Sequence, residues 1–400
     1  MAPDRDAVAL GRILTGDLGS LPDEEWERLV PRAIEGRVAP LLFWRLREDE
    51  SIPARFRADL HRELFRAEAA NLILYRGLAS LLRRTRDAGL AAPVLLKGAA
   101  LAASLYPEIG LRPMSDLDIL VPRKELPGWL ALAEEASFRR LAPEMSRGLT
   151  ERVHYHVALT GGATGDATIE IHFGLIGGET DSRAPETSWF FERTEAWLPP
   201  ESLDCPKARE LEPTANLPYL GAHAMLQHGG AQARMIWFYD IHLLLLERAD
   251  RIRWDEVAEA ARRFGWGAAL SAALFRAQTL FGSRFPTEPV DDLLAASDPA
   301  RLRQVRRRSD PKMSRAELVF GDLQSVAFRD RIRWALAILV PRPEYLRWRY
   351  PGAGRLWLAC YPYRWARVLW EGARAIAVSS CHFSIAGFRR IRSSLVTGNW

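Results

Sequence analysis

Between residues 5 and about 92, apolar positions recur at steps of three and four, most plainly in "PARFRADLHRELFRAEAANLILYRGLASLLRRTRDAGL", where arginines fill the intervening positions. That period lays one apolar stripe along a helix and predicts an α-helical lead-in over residues 1–92. At Pro93 the pattern changes to short runs rich in β-branched residues and bounded by Gly or Pro: "PVLLKG", "DLDILVP", "RVHYHVALT" and "ATIEIHFG". These read as strands. Two helical stretches, "AALAASLY" and "KELPGWLALAEEA", lie among them, so residues 93–176 predict a small mixed α+β core. Residues 177–216 hold "GGETDSRAPETS" and "LPPESLDCPKARELEPTANLP" and read as connection and linker. Helical periodicity returns over 217–300, and residues 301–400 form a helical tail rich in Arg and Trp.

Composition narrows the class. Four hundred residues exceed what one hydrophobic core usually serves, so two or three units are expected. The chain is 48% hydrophobic and 26% charged, as in an ordinary globular protein, and lacks the roughly 18 uninterrupted apolar residues of a membrane span. The first twenty residues mix acids with bases and carry no apolar run of the secretory kind, which points to the cytoplasm. Cys205, Cys360 and Cys381 are odd in number and far apart, fitting neither a disulfide framework nor a C-x-x-C zinc site.

The strand "DLDILVP" raises the chemical question. Side chains alternate across a strand, so Asp116 and Asp118 share a face about 6.6 Å apart, while Leu117 and Ile119 take the other. Two carboxylates converging in an apolar strand need a compensating cation. Magnesium, or manganese in its place, prefers oxygen ligands and is commonly held by one or two carboxylates together with substrate phosphates. A third acid follows the same plan in "ATIEIHFG", where Glu170 and His172 share a face. Three carboxylates can hold two ions for in-line phosphoryl or nucleotidyl transfer. Ahead of them, Lys97-Gly98 ends one strand and opens a helix; Gly98 lets backbone approach a phosphate, and Lys97 adds a full positive charge. An edge strand in water is the plain alternative for the aspartates, and a tight turn for Gly98. His154 and His156 with His172 form another conceivable metal set, zinc, without the cysteines or H-E-x-x-H spacing that would support it.

The order strand, Gly, helix, D-x-D strand and later acidic strand resembles the DNA polymerase β-type nucleotidyltransferase superfamily. More closely, "LLKGAALAASLYPEIGLRPMSDLDILV", "IEIHFGL" and "AHAMLQHGGAQARMIWFYDIHLLL" are similar to the poorly characterised bacterial nucleotidyltransferase family of that fold, over roughly residues 93–247. The resemblance implies a polymerase β-like mixed sheet embedded between helical regions. It assigns metal binding and catalysis to Asp116, Asp118 and Glu170, an NTP as donor, and a hydroxyl-bearing acceptor. The superfamily's first motif usually reads Gly-Gly or Gly-Ser; here Ala99 follows Gly98 and offers only its N–H. Lys97 is the candidate for the missing phosphate contact, with Arg112 and Ser115, just before Asp116, as further candidates against a capping or turn role. The resemblance also packs the later helices on the catalytic sheet, with His172, His223 and Asp240 as supporting residues near base or acceptor; core and capping roles are the alternative.

Two other functions share these features. A nucleotide sensor or adaptor would keep the fold without turnover, which Ala99 favours. A sugar-nucleotide glycosyltransferase also uses D-x-D, but needs a longer α/β domain before that motif than the helical lead-in supplies. Charge adds one more element. Residues 331–400 carry 12 arginines and no lysine against two acids, a net of +10 that leaves −5 on the first 330 residues. A basic tail suggests an anionic partner, nucleic acid or a membrane surface; a packed subdomain with core tryptophans is the third reading.

Overall fold

Asp4 opens the first helix, its carboxylate accepting from the N–H groups of Asp6 and Ala7, and Gly16 closes it in the left-handed conformation. The computed structural model describes residues 4–16, 21–49, 52–162, 165, 167–176, 186–229, 233–309, 328–367 and 369–370. The lead-in forms four helices, α1 (Arg5–Thr15), α2 (Asp23–Glu35), α3 (Ala39–Leu46) and the long α4 (Ala54–Asp87). The stripe read from the sequence is the face that α4 buries, through Phe56, Leu60, Leu74, Leu78, Leu81 and Leu82 among others.

Seven strands then make one mixed sheet: β1 (Val94–Leu96), β2 (Leu117–Leu120), β3 (Phe138–Arg140), β4 (His156–Gly161), β5 (Ala167–His172), β6 (Thr194–Trp197) and β7 (Ala208–Leu211), in the spatial order β3-β4-β5-β2-β1-β7-β6. β2 runs parallel to β5 and β1 parallel to β7, with the remaining neighbours antiparallel. Helices α5 (Gly98–Ser104) and α6 (Leu126–Glu135) fall where the sequence placed them, and α7 (Thr150–Val153) precedes β4. The segment 177–216 is more than a linker. Residues 177–185 lie outside the described residues, but 186–216 supply α8 (Thr187–Glu192), β6 and β7 and begin α9 (Pro213–Ala222).

Alternation divides the sheet chemically. Leu95, Leu117, Ile119, Val157, Leu159, Ile169 and Ile171 enter one core with Leu74, Tyr75, Leu78, Leu81 and Leu82 of α4 and Trp129 of α6. On the other face, Val94, Leu96 and Leu120 join a second core, built from α1–α3 and from the helices that follow the sheet. Those are α9, a π-helical turn at His223–Gln227, α10 (Met235–Glu247), α11 (Trp254–Arg263), α12 (Gly267–Phe281), α13 (Thr287–Ala295) and α14 (Pro299–Arg308). α9 is buried all round and α12 nearly so, as befits helices apolar on every side. α1 crosses α12 closely: a Cβ on Gly11 would stand 1.8 Å from the Leu280 carbonyl oxygen, so only glycine fits. The N-terminal and C-terminal helical regions are thus two sides of one core, where the sequence suggested separate domains.

Candidate active site

Register explains how the charged groups meet. β1 and β2 pair with Leu96 opposite Asp118, so Lys97 leaves β1 beside that aspartate. The chain turns there into α5 with Lys97 at φ +50°, a conformation a non-glycine residue holds only when its surroundings fix it. Its Nζ lies 2.6 Å from Asp118 Oδ1. On the other side, the parallel pair β2–β5 sets Asp118 beside Glu170 and Leu120 beside His172, and β4 adds His156 opposite His172. Asp116 sits just before β2, half-buried, where the Ser115 hydroxyl donates to its Oδ1 at 3.3 Å.

This cluster is charged and mostly dry. Burial works against the Asp118 carboxylate, but Lys97 and His172, whose Nε2 is 2.8 Å from Oδ1, hold its pKa well below the usual range. Burial alone would push the Lys97 ammonium down; Asp118 and Glu170 reverse that and raise it. Glu170 is likewise kept ionised against burial by His172 and His156. His172 is raised despite its burial because it faces both acids, at 2.8 and 3.4 Å, whereas burial and His172 push His156 down to about 4. Asp116 moves the other way. Its burial and the negative charges of Asp118 and Glu170 raise it, and Lys97 only partly offsets them.

Asp116 is raised chiefly by burial and then by Asp118 and Glu170. Carboxylate oxygens suit a hard divalent cation. Among the described residues, His156, Glu170 and His172 bring one ligand atom each within 4.8 Å of one another. His156, Glu170 and His172 therefore fit a divalent ion; among the described residues Asp116, Asp118 and Glu170 do not form such a group, and Asp118 Oδ1 is engaged by Lys97 and His172. His154 is not in this group; its ring lies edge-on to Trp334, 5.9 Å away.

Other expected contacts have found different partners. Arg112 is buried and grips Asp240, Nη2 to Oδ2 at 2.7 Å and Nε to Oδ1 at 3.2 Å, while the Tyr106 hydroxyl donates to Oδ1 at 2.7 Å. Arg112, expected near a triphosphate, and Asp240, expected near the base or acceptor, are thus paired with each other and buried. Gly98 has the matching role. A Cβ there would meet Arg112 Nη1 at 2.7 Å, so the glycine admits the guanidinium, and Ala99 beside it is fully buried. His223 begins the π-helical turn, buried and neutral, with its ring 5.0 Å from Trp237 and 4.7 Å from His228.

Three positioning residues were not visible in the sequence. Asn71 of α4 donates to the carbonyls of Ile109 and Arg112 at 2.6 and 2.9 Å and accepts from the Met114 N–H at 3.1 Å, pinning the loop that delivers Asp116. The Tyr75 hydroxyl donates to the Ala99 carbonyl at 2.9 Å, and Tyr106 supports Asp240. The one available signal was an asparagine on the apolar stripe of a long helix, where it needs buried partners.

A mixed sheet flanked by helices, with acids from two neighbouring parallel strands facing a helical layer, is an α+β fold of nucleotidyltransferase type. The chain belongs to the family described as uncharacterised nucleotidyltransferase, which matches residues 22–282. That span opens in the lead-in helices and runs through α12, well beyond the 93–247 of the motif resemblance. No curated protein and no solved structure matches the chain.

Proposed function

We propose that the protein is a magnesium-dependent nucleotidyltransferase that moves a nucleoside monophosphate from an NTP to an acceptor hydroxyl and releases pyrophosphate. The observation that carries this reading is the parallel register that sets Asp118 against Glu170, with Asp116 just before the same strand. Asp116, Asp118 and Glu170 are the residues that would hold the divalent ion, which neutralises charge developing on the transferring phosphoryl group. Lys97 and His172 keep Asp118 ionised, and His172 and His156 do the same for Glu170. An ionised Glu170 is suited to accept the acceptor's proton as its oxygen bonds to the α-phosphorus and the bond to pyrophosphate breaks. Ser115 is exposed beside Asp116 and is the phosphate contact left of those expected in that loop. The same acids would serve a small molecule, a protein side chain or an RNA end.

Asp116→Asn and Glu170→Gln are each expected to lower pyrophosphate release by at least about a hundredfold, with a native circular dichroism spectrum retained. Wild-type turnover in either variant would end the proposal. A second reading has its own support: buried Ala99 and the guanidinium packed on Gly98 favour a nucleotide-binding sensor without turnover. Calorimetric NTP binding with no pyrophosphate release would select it.

A further inference from the structure

The helix Phe328–Leu339 has two apolar faces. One is spent: Trp334 and Ala337 are buried against Leu149 and Val153, next to α7. The other faces outward. Phe328, Ile332, Leu336 and Val340, the last just past the helix end, repeat every four residues and are 48–72% exposed. Positions four apart advance about 40° round a helix, so these side chains form one continuous stripe. Arg329 and Arg333, both exposed, project along one edge of it. The chain then returns: Trp365 Nε1 donates to the Leu339 carbonyl at 2.6 Å, Arg364 Nε to that of Ile338 at 2.5 Å, and the Tyr361 hydroxyl to that of Pro341 at 2.8 Å. The returning segment also exposes Trp365, Leu369 and Trp370. Among the described tryptophans of the tail, only Trp334 is buried.

We propose that this helix and the returning segment form a peripheral membrane-binding surface that seats on an anionic bilayer. The chemistry selects that occupant. Aliphatic Ile332, Leu336 and Val340 offer nothing to a base or a sugar–phosphate chain but partition among acyl chains, while flanking arginines reach lipid phosphates and indoles settle at headgroup depth. A second copy docked on the same face would set arginine against arginine. The helix is about 18 Å long, too short to span a bilayer, and no described helix is long and apolar enough to do so, so the protein lies on the surface. Electrostatic attraction is supplied by residues 331–370, which carry eight arginines against one acid, a net of +7.

The test is co-sedimentation of the full-length chain with vesicles of phosphatidylcholine alone and of phosphatidylcholine mixed with phosphatidylglycerol. Anionic vesicles are expected to pellet the protein and neutral ones several-fold less. Ile332→Asp with Leu336→Asp, and separately Arg329→Gln with Arg333→Gln, should each lower partitioning roughly tenfold. Circular dichroism and an unchanged elution volume would certify that these surface variants are folded. Equal binding by both double variants, or no vesicle binding by the wild type, overturns the proposal. So does an oligonucleotide mobility shift, or a change of oligomeric state, that depends on the same four residues in place of vesicle binding.

Discussion

Lys97 links the stability and the chemistry of the site. It is one of four lysines in the chain, it holds a strained backbone, and it meets Asp118 at 2.6 Å where both are nearly excluded from water. Removing one partner of such a pair leaves a buried charge uncompensated, which typically costs about 3–5 kcal/mol, more than the pair is worth in total. Lys97→Ala is therefore expected to lower the urea midpoint steeply, and Lys97→Met combined with Asp118→Leu to recover much of the loss because both charges go together. If the ammonium instead serves a nucleotide phosphate, the single variant loses NTP affinity and little stability; denaturation and calorimetry on the same sample tell the two apart. The Asp116–Asp118 pair was legible in the sequence because two carboxylates break an apolar alternation. Arg112–Asp240 was not, since the partners lie 128 positions apart and each reads alone as an ordinary polar residue.

At the scale of elements, β7 shows the limits of pattern reading and a consequence of where it sits. The sequence exposed β1, β2, β4 and β5 because they are short apolar or alternating runs, rich in β-branched residues and bounded by Gly or Pro. It hid β3, three residues long, and β6 and β7, which read "TEAW" and "AREL" between prolines. Nothing local marks such strands; pairing makes them, β3 on β4, β7 on β1 and β6 on β7. The register then sets Glu210 of β7 directly opposite Glu195 of β6, an unfavourable like-charge pairing. Burial chiefly, with Glu195 adding and Ser104 opposing, lifts the Glu210 carboxyl to about 7 from an ordinary 4.5. The native chain thus holds this proton more tightly than the unfolded one. Its stabilising contribution is complete below pH 4.5 and disappears as pH rises through 7. Glu210→Gln should be indistinguishable from wild type at low pH and more stable above pH 7, by up to about 3 kcal/mol. Melting curves across that range check the sign, and a parallel displacement at every pH would contradict it.

For the molecule as a whole, the lead-in helices decide whether the acidic strands can exist. Leu74, Tyr75, Leu78, Leu81 and Leu82 of α4 cover the apolar face opposite the acids, and Asn71 fixes the loop before β2. α1–α3 meanwhile complete the core of the helices that cover the acidic face, with Gly11 against Leu280 as the tightest contact. Residues 1–92 therefore bury both sides of the sheet, and the 22–282 extent of the family match follows that packing more closely than the motifs do. A chain cut to residues 93–309 keeps all the site acids but loses the cover of one sheet face outright. At about 25 cal/mol per Å² of apolar surface, exposing even one such face removes more than the few kcal/mol by which domains of this size are stable. That fragment should show no cooperative melt and no near-ultraviolet circular dichroism, and supplying residues 1–92 as a separate chain should restore part of both. A fragment that melts cooperatively near the full-length temperature would show that the sheet stands without its lead-in, and the shared-core account would fail with it.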